Sequence, residues 1–161
     1  MKKKLDFYSE TLFHLINFRC SQFRVSRSMI GIDYDSFLIC SVIGSHFLKL
    51  NTKEADTWDA VWEATRSKKM HESYTSRKLT IFAVASILEL PKETVRRKVE
   101  ILKKKKLISH STKLGLLPTD KIDELIKPFA KKELNDLSKF LRKLKSNKSL
   151  DQLLNLKDKE I

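Results

Sequence analysis

The chain has 161 residues, with 33 Lys and Arg against 20 Asp and Glu and a formal net charge of +13; this length admits one compact core with helical extensions and excludes two full domains. A cationic surplus of this size directs the surface toward polyanions, either nucleic acid or an anionic membrane face, although a Lys-, Asn- and Ile-rich coding bias competes as an explanation. Only three Gly and three Pro, with few alternating segments, predict a mainly α fold.

Met1-Lys2-Lys3-Lys4 carries the charge of a secretory leader, but Asp6, Glu10, His14 and Asn17 interrupt the apolar stretch a leader needs, so a cytoplasmic location is expected. Leu5, Tyr8, Leu12, Leu15, Ile16 and Phe23 recur at helical spacing and predict a long amphipathic helix from Leu5 to about Phe23. The period breaks over Arg24 to Asp33, where Ser26, Ser28 and Gly31 fall. Asp33 or Asp35 then caps a second helix running to about Leu50, apolar all round and therefore buried. Its most apolar run, Phe37 to Leu48, contains Ser41, Ser45 and His46 and is shorter than the roughly 20 residues of a membrane span. Cys20 and Cys40 lack the paired spacing of a zinc or redox motif and are expected as buried, reduced thiols.

Trp58, Val61 and Trp62 follow Asp56 at helical spacing and predict a short helix, with Arg66 to Lys78 as an exposed linker. From Thr80 the apolar pattern is that of two helices joined by a tight turn. Thr80 caps the first, Phe82, Val84, Ala85 and Leu88 are its apolar residues, Leu90 plugs the turn and Pro91 starts the second. Val95, Val99 and Leu102, at i, i+4 and i+7, form one buried stripe of that second helix. Lys92, Glu93, Arg96, Arg97 and Glu100 point elsewhere, the division of faces that a helix needs to sit in the major groove. Lys103 to Lys106 add positive charge, and Leu107 to Leu117 reads as a hairpin. Leu107, Ile108, Leu116 and Leu117 supply its strands; Ser111, Thr112, Lys113 and Gly115 form a tip suited to backbone phosphates.

The run Leu-Pro-Lys-Glu-Thr-Val-Arg-Arg-Lys-Val, followed by an apolar repeat and a short wing, resembles bacterial winged helix-turn-helix transcription regulators, particularly those with a Leu-Pro-x-Glu-Thr-Val-Arg-Arg signature. The similarity covers residues 78 to about 118. It implies sequence-specific binding of double-stranded DNA through Lys92, Glu93, Thr94, Arg96, Arg97 and Lys98, with Lys103, Lys104, Ser111, Thr112 and Lys113 alongside. Two positions depart from the pattern: Glu89 stands where many such turns carry Gly, and Lys106 where the phrase before the wing often ends in Gly. The long flanking helices also resemble dimeric regulators of the multiple-antibiotic-resistance type, without their acidic-and-arginine wing tip.

Beyond the wing, Thr119 with Asp120 caps a helix carrying Ile122, Leu125, Ile126 and Phe129, which Pro128 is expected to kink or end. Leu134, Leu137, Phe140, Leu141 and Leu144 mark a further amphipathic helix, and Leu150, Leu153, Leu154 and Leu156 a last short apolar face. The organisation expected is therefore N-terminal helices over 1–50 for support or dimerisation, a linker over 51–79, a winged helix-turn-helix over 80–118 and C-terminal helices over 119–161. Chains that read two half-sites use such helices to form homodimers. No phosphate-cradling glycine loop, metal-ligand cluster or nucleophile elbow is present, and His14, His46, His71 and His110 are dispersed, so neither catalysis nor a cofactor is expected. Tyr34, Phe37, Phe47, Trp58 and Trp62 form either a plain aromatic core or the lining of a small-molecule effector pocket. A second function class is an interaction or architectural module, in which the winged helix docks on transcription or replication machinery and the lysines serve solubility. RNA is less favoured because stacking-aromatic signatures are absent.

Overall fold

The computed structural model describes residues 6–51, 57 and 78–156. In chain order these form helices α1 (Phe7–Met29) and α2 (Tyr34–Asn51), helices α3 (Ile81–Leu88) and α4 (Lys92–Lys104), strands β1 (Ile108–Ser111) and β2 (Gly115–Pro118), and helices α5 (Asp120–Ser146) and α6 (Ser149–Leu154). The fold is mainly helical with one two-stranded antiparallel sheet. The short helix around Trp58 and all of the linker except Lys78 lie outside the described residues. No helix among them is long and apolar enough to cross a membrane.

The described residues gather into two compact units, one from Ile32 to Leu125 and the other from the residues up to Gly31 together with those from Ile126. This grouping cuts across boundaries at 50, 79 and 118: α2 belongs with the helix pair and hairpin, and α1 with the C-terminal helices.

In the first unit, α2 lies against α3, α4 and β2. Asp33 caps α2, accepting from the Ser36 amide at 3.0 Å and the Ser36 hydroxyl at 3.1 Å. Phe37, Ile39, Cys40 and Ile43 of α2 are buried, while Ser41 and Ser45 face outward, so the helix is buried on one side rather than all round. Thr80 caps α3 through the Ala83 amide at 3.1 Å. Val84 and Ala85 are buried, but Phe82, another of the helix's apolar residues, is 69% exposed. Helix α4 buries Val95, Val99 and Leu102 completely, and truncating such a side chain, as in Leu102→Ala, costs about 2–5 kcal/mol. Glu93 in the first turn and Lys103 and Lys104 in the last complement the helix dipole.

Both α3 and α4 end in a reciprocal pair of backbone bonds around one left-handed residue. At the first, Glu89 has φ +52, its amide donates to Ser86 O at 3.4 Å and the Leu90 amide to Ala85 O at 3.0 Å. At the second, Lys106 has φ +60, with Lys106 N to Lys103 O at 2.8 Å and Leu107 N to Leu102 O at 3.0 Å. The two departures from glycine noted in the sequence thus fall on residues that adopt glycine's conformation.

The sheet pairs Ile108 with Pro118 and Ser111 with Gly115. Gly115, at φ +76, is buried at the start of β2 rather than at the exposed tip. A Cβ there would lie 2.4 Å from the Leu79 carbonyl oxygen, which accepts from the Leu116 amide at 2.9 Å. Gly115 therefore admits the backbone just before α3 as a neighbour of the hairpin. The Thr119 hydroxyl donates to the carbonyls of Lys106 and Leu107 at 2.6 and 3.0 Å, tying the end of β2 to the start of β1.

In the second unit, α1 runs six residues beyond Phe23, past the expected break. Ser26 and Ser28 return their hydroxyls to Phe23 O and Val25 O at 2.9 and 3.2 Å, which accommodates serine inside a helix. Helix α5 does not end at Pro128, which lies inside it. The bond that proline removes would have ended on the carbonyl of Glu124, an exposed residue that water can serve. Helices α1 and α5 run antiparallel: Gln22 donates to Glu133 at 3.0 Å, Phe18 stacks on Phe140 with centroids 5.1 Å apart, and Asn147 donates to Glu10 at 2.6 Å. Burial raises the Glu133 carboxyl above its ordinary range, against the lowering effect of Gln22.

Of the cysteines, Cys40 is buried, which pushes its thiol up to about 12. Cys20 is exposed, against expectation, because its position on α1 faces away from the Phe18 and Gln22 side that packs on α5.

Candidate nucleic-acid interface

The candidate surface is the outward side of α4 with the hairpin that follows it. At roughly 100° per residue, the centre of the buried stripe lies opposite Glu93, Arg97 and Lys104, with Arg96 and Glu100 on the near flank and Lys92, at the first residue of the helix, closer to the buried side. All except half-buried Glu100 are exposed. Strand β1 lies against α4, so the cationic helix end and the hairpin belong to one packed block.

The outward residues differ in what they already hold. Arg96 forms a two-pronged bond with Glu93, Nε to Oε2 at 2.8 Å and Nη2 to Oε1 at 2.6 Å, and this bonding holds the Glu93 carboxyl below its usual range. Such a fork fixes both side chains but occupies the geometry by which arginine would grip a phosphate or a guanine edge. Lys103 is likewise engaged by Glu100, at 3.0 Å. Arg97, Lys92 and Lys104 form no ion pair among the described residues and stand as open donors, although the Arg97 charge adds to the lowering of the Glu93 carboxyl. Thr94 is half-buried on the edge of the face.

Lys98 is placed differently from the sequence expectation. Its side chain is only 15% exposed, and its ammonium lies 2.7 Å from Asp33, at the N-terminus of α2. Burial alone would raise the Asp33 carboxyl, but the Lys98 ammonium and the Ser36 amide and hydroxyl outweigh it and hold it low. One carboxylate thus caps α2 and anchors α4. Lys98 sits on the inward flank because residue 98 follows Val95 by three positions and turns toward the core.

At the hairpin tip, the Ser111 hydroxyl oxygen accepts from the Leu114 amide at 3.0 Å and closes the turn, while the Thr112 carbonyl accepts from Lys78 Nζ at 3.0 Å. These bonds shape the tip and leave the Ser111 O–H and the Thr112 side chain exposed beside Lys113, the cation it presents. Lys78, read from sequence as the end of a linker, braces the tip from 34 residues upstream; no periodicity signals such a contact. Lys121 similarly donates to Lys105 O at 3.1 Å.

Of the residues expected at a DNA surface, the structure brings Glu93, Arg96, Arg97 and Lys104 to one exposed helix face, Lys92 to the exposed first turn beside it, and Ser111, Thr112 and Lys113 to the adjoining hairpin. It places Lys98 inward and engages Lys103 with Glu100. Of the aromatic set, Phe37 is buried in α2 and Tyr34 is partly exposed with its ring 6.2 Å from Phe37, whereas Trp58 and Trp62 lie outside the described residues. No group of three His, Cys, Asp or Glu suited to a metal ion occurs among the described residues. Comparison with protein-family models, with curated proteins and with solved structures finds no match.

Proposed function

We propose that the chain is a winged helix-turn-helix regulator of transcription that binds double-stranded DNA, with α4 in the major groove and the hairpin as a wing on the backbone. The observation that carries this reading is the division of α4. Val95, Val99 and Leu102 are wholly buried, while Arg97 and Lys104 stand exposed on the outward side without an ion pair among the described residues, next to a hairpin tipped by Lys113. A helix so anchored offers charge to phosphates and long donors to base edges, and the Arg96–Glu93 fork adds a fixed polar pair that exchanges its internal bonds for bonds to bases. The protein acts in the cytoplasm as a homodimer reading two half-sites. Selection of bound duplexes from a random pool tests this: a recovered motif whose binding survives moderate salt supports it, and uniform binding that vanishes with salt contradicts it.

One observation favours a second reading, a docking module for transcription or replication proteins. Phe82 and Ile87 stand exposed on α3, on the same unit as α4, where an apolar contact with a protein partner would bury them. Charge reversal at Arg97 separates the two readings, abolishing duplex binding under the first and leaving the apolar contact under the second.

A further inference from the structure

The α1–α5 pair carries an apolar face that the chain itself leaves open. On α1, Tyr8, Leu12 and Ile16 are 59%, 54% and 50% exposed, and on α5 Leu134, Leu137 and Leu141 are 54%, 36% and 40% exposed. At about 100° per residue the first three fall within an arc of roughly 80° and the second three within roughly 60°. Measured from the residues that join the helices, such as Phe18 and Phe140, both stripes are displaced in the same rotational sense. Because the helices are antiparallel, this puts them on the same side of the pair. Leu150 of α6 closes one end, lining with Leu134, Leu137 and Leu141 an open groove of about 290 Å³.

We propose that this face is the interface of a homodimer, its occupant the same face of a second copy. The inference deepens the reading of the chain as a dimeric regulator and rests on it. Two arguments select a second copy. The first is area: taking the roughly 150–250 Å² of an aromatic side chain as the scale for Leu and Ile as well, the six exposures amount to roughly 550 Å² of mainly apolar surface. A specific interface of about 800 Å² per partner, about 65% apolar at a homodimer contact, holds about 520 Å². The match leaves little face uncovered. The second is spacing. Leu12, Ile16, Arg19 and Phe23 follow one another by four, three and four residues, and Leu134, Leu137 and Leu141 by three and four. This is the seam pattern by which helices interlock, and a second copy supplies helices with the complementary pattern. Arg19 shares the α1 arc, and its long aliphatic stem suits a seam whose rim is wet.

The test is sedimentation of the full chain at micromolar concentration beside Leu12→Glu with Ile16→Glu, Leu137→Glu with Leu141→Glu, and Phe82→Glu as a control on the other unit. The wild-type chain and the control sediment at twice 18.8 kDa, whereas both paired variants weaken association at least 100-fold while retaining wild-type helicity. A dimeric wild-type chain with dimeric paired variants overturns the interface and leaves the dimer standing; a monomeric wild-type chain overturns both. Should a paired variant unfold, hydrogen exchange on the wild-type chain decides. Protection over residues 8–16 and 134–141 rises with concentration if the proposal holds, and concentration-independent protection there, or binding of the monomer to anionic vesicles through this face, overturns it. Binding of the paired variants to a single DNA half-site reports separately on the DNA reading, because it does not require the dimer.

Discussion

The three glycines form a graded experiment on how the hairpin is held. At Gly115 an alanine Cβ would meet the Leu79 carbonyl oxygen at 2.4 Å and the Lys78 Cβ at 3.1 Å, at φ +76; at Gly31, with φ +71, it meets nothing within 4 Å; at Gly44, inside α2, it also meets nothing. A left-handed torsion costs a non-glycine residue about 1–2 kcal/mol, less about 0.4–1 kcal/mol from the stiffer unfolded chain, so Gly31→Ala should cost about 0.5–1 kcal/mol. Gly115→Ala carries the same torsional cost and must also separate Leu79 from the hairpin. That breaks the Leu116–Leu79 bond in a buried setting, adding about 1–3 kcal/mol, for a total of about 2–4 kcal/mol. Gly44→Ala should gain about 0.5–1 kcal/mol, as glycine-to-alanine does in a helix interior. Urea denaturation followed by circular dichroism measures all three. A Gly115→Ala loss no larger than that of Gly31→Ala would refute the close approach of the Leu79 backbone, and with it the account of how the hairpin is fixed.

Glu89→Gly and Lys106→Gly should each stabilise by about 0.5–1 kcal/mol, the left-handed cost removed less the entropy glycine adds to the unfolded chain; unchanged denaturation midpoints would count against positive φ at these positions. The Asp33 carboxyl is held low in the folded chain, so its contribution is complete above the unfolded value of about 3.9 and is lost as pH falls through the folded value. The stability difference between wild type and Asp33→Asn, which keeps a capping side chain, should be flat from neutral pH to about 4 and shrink below it. A difference that persists undiminished at the acid end would contradict the Lys98 pairing. Asp33→Ala should cost about 1 kcal/mol more than Asp33→Asn through loss of the cap, read from the same denaturation curves.

Features governed by residues close in sequence were legible in it. Thr80 is a cap, Val95, Val99 and Leu102 are buried, and residues 108–118 turn back as a hairpin, because each depends on local chemistry or a helical repeat. Features that depend on distant or competing groups were not. Lys98 has the same sequence character as Arg97, and only Asp33, 65 residues away, distinguishes an anchor from an exposed donor. Lys78 is one lysine among many until the hairpin tip is set beside it. Ser26, Ser28 and Pro128 are helix breakers by propensity, yet α1 and α5 pass through them, because hydroxyls return to nearby carbonyls and the bond lost at proline faces solvent. Phe82 is apolar yet exposed, because hydrophobicity alone does not say which side of a short helix meets the core. Glycine marks turns, which points to the tip for Gly115; here it is buried and also admits a second backbone.

The most direct test of a DNA-reading α4 compares the salt dependence of duplex binding for wild type, Arg97→Ala and Lys98→Ala on a selected sequence. The outward position of Arg97 predicts a weaker complex, either with a salt slope reduced by about one if it grips phosphate or with a loss of about 1–3 kcal/mol confined to one base position if it reads an edge. The inward Lys98 predicts a less stable fold and, at temperatures where the variant is folded, an unchanged slope. Equal effects at the two positions, or no effect of Arg97→Ala on a tightly bound duplex, would contradict the account.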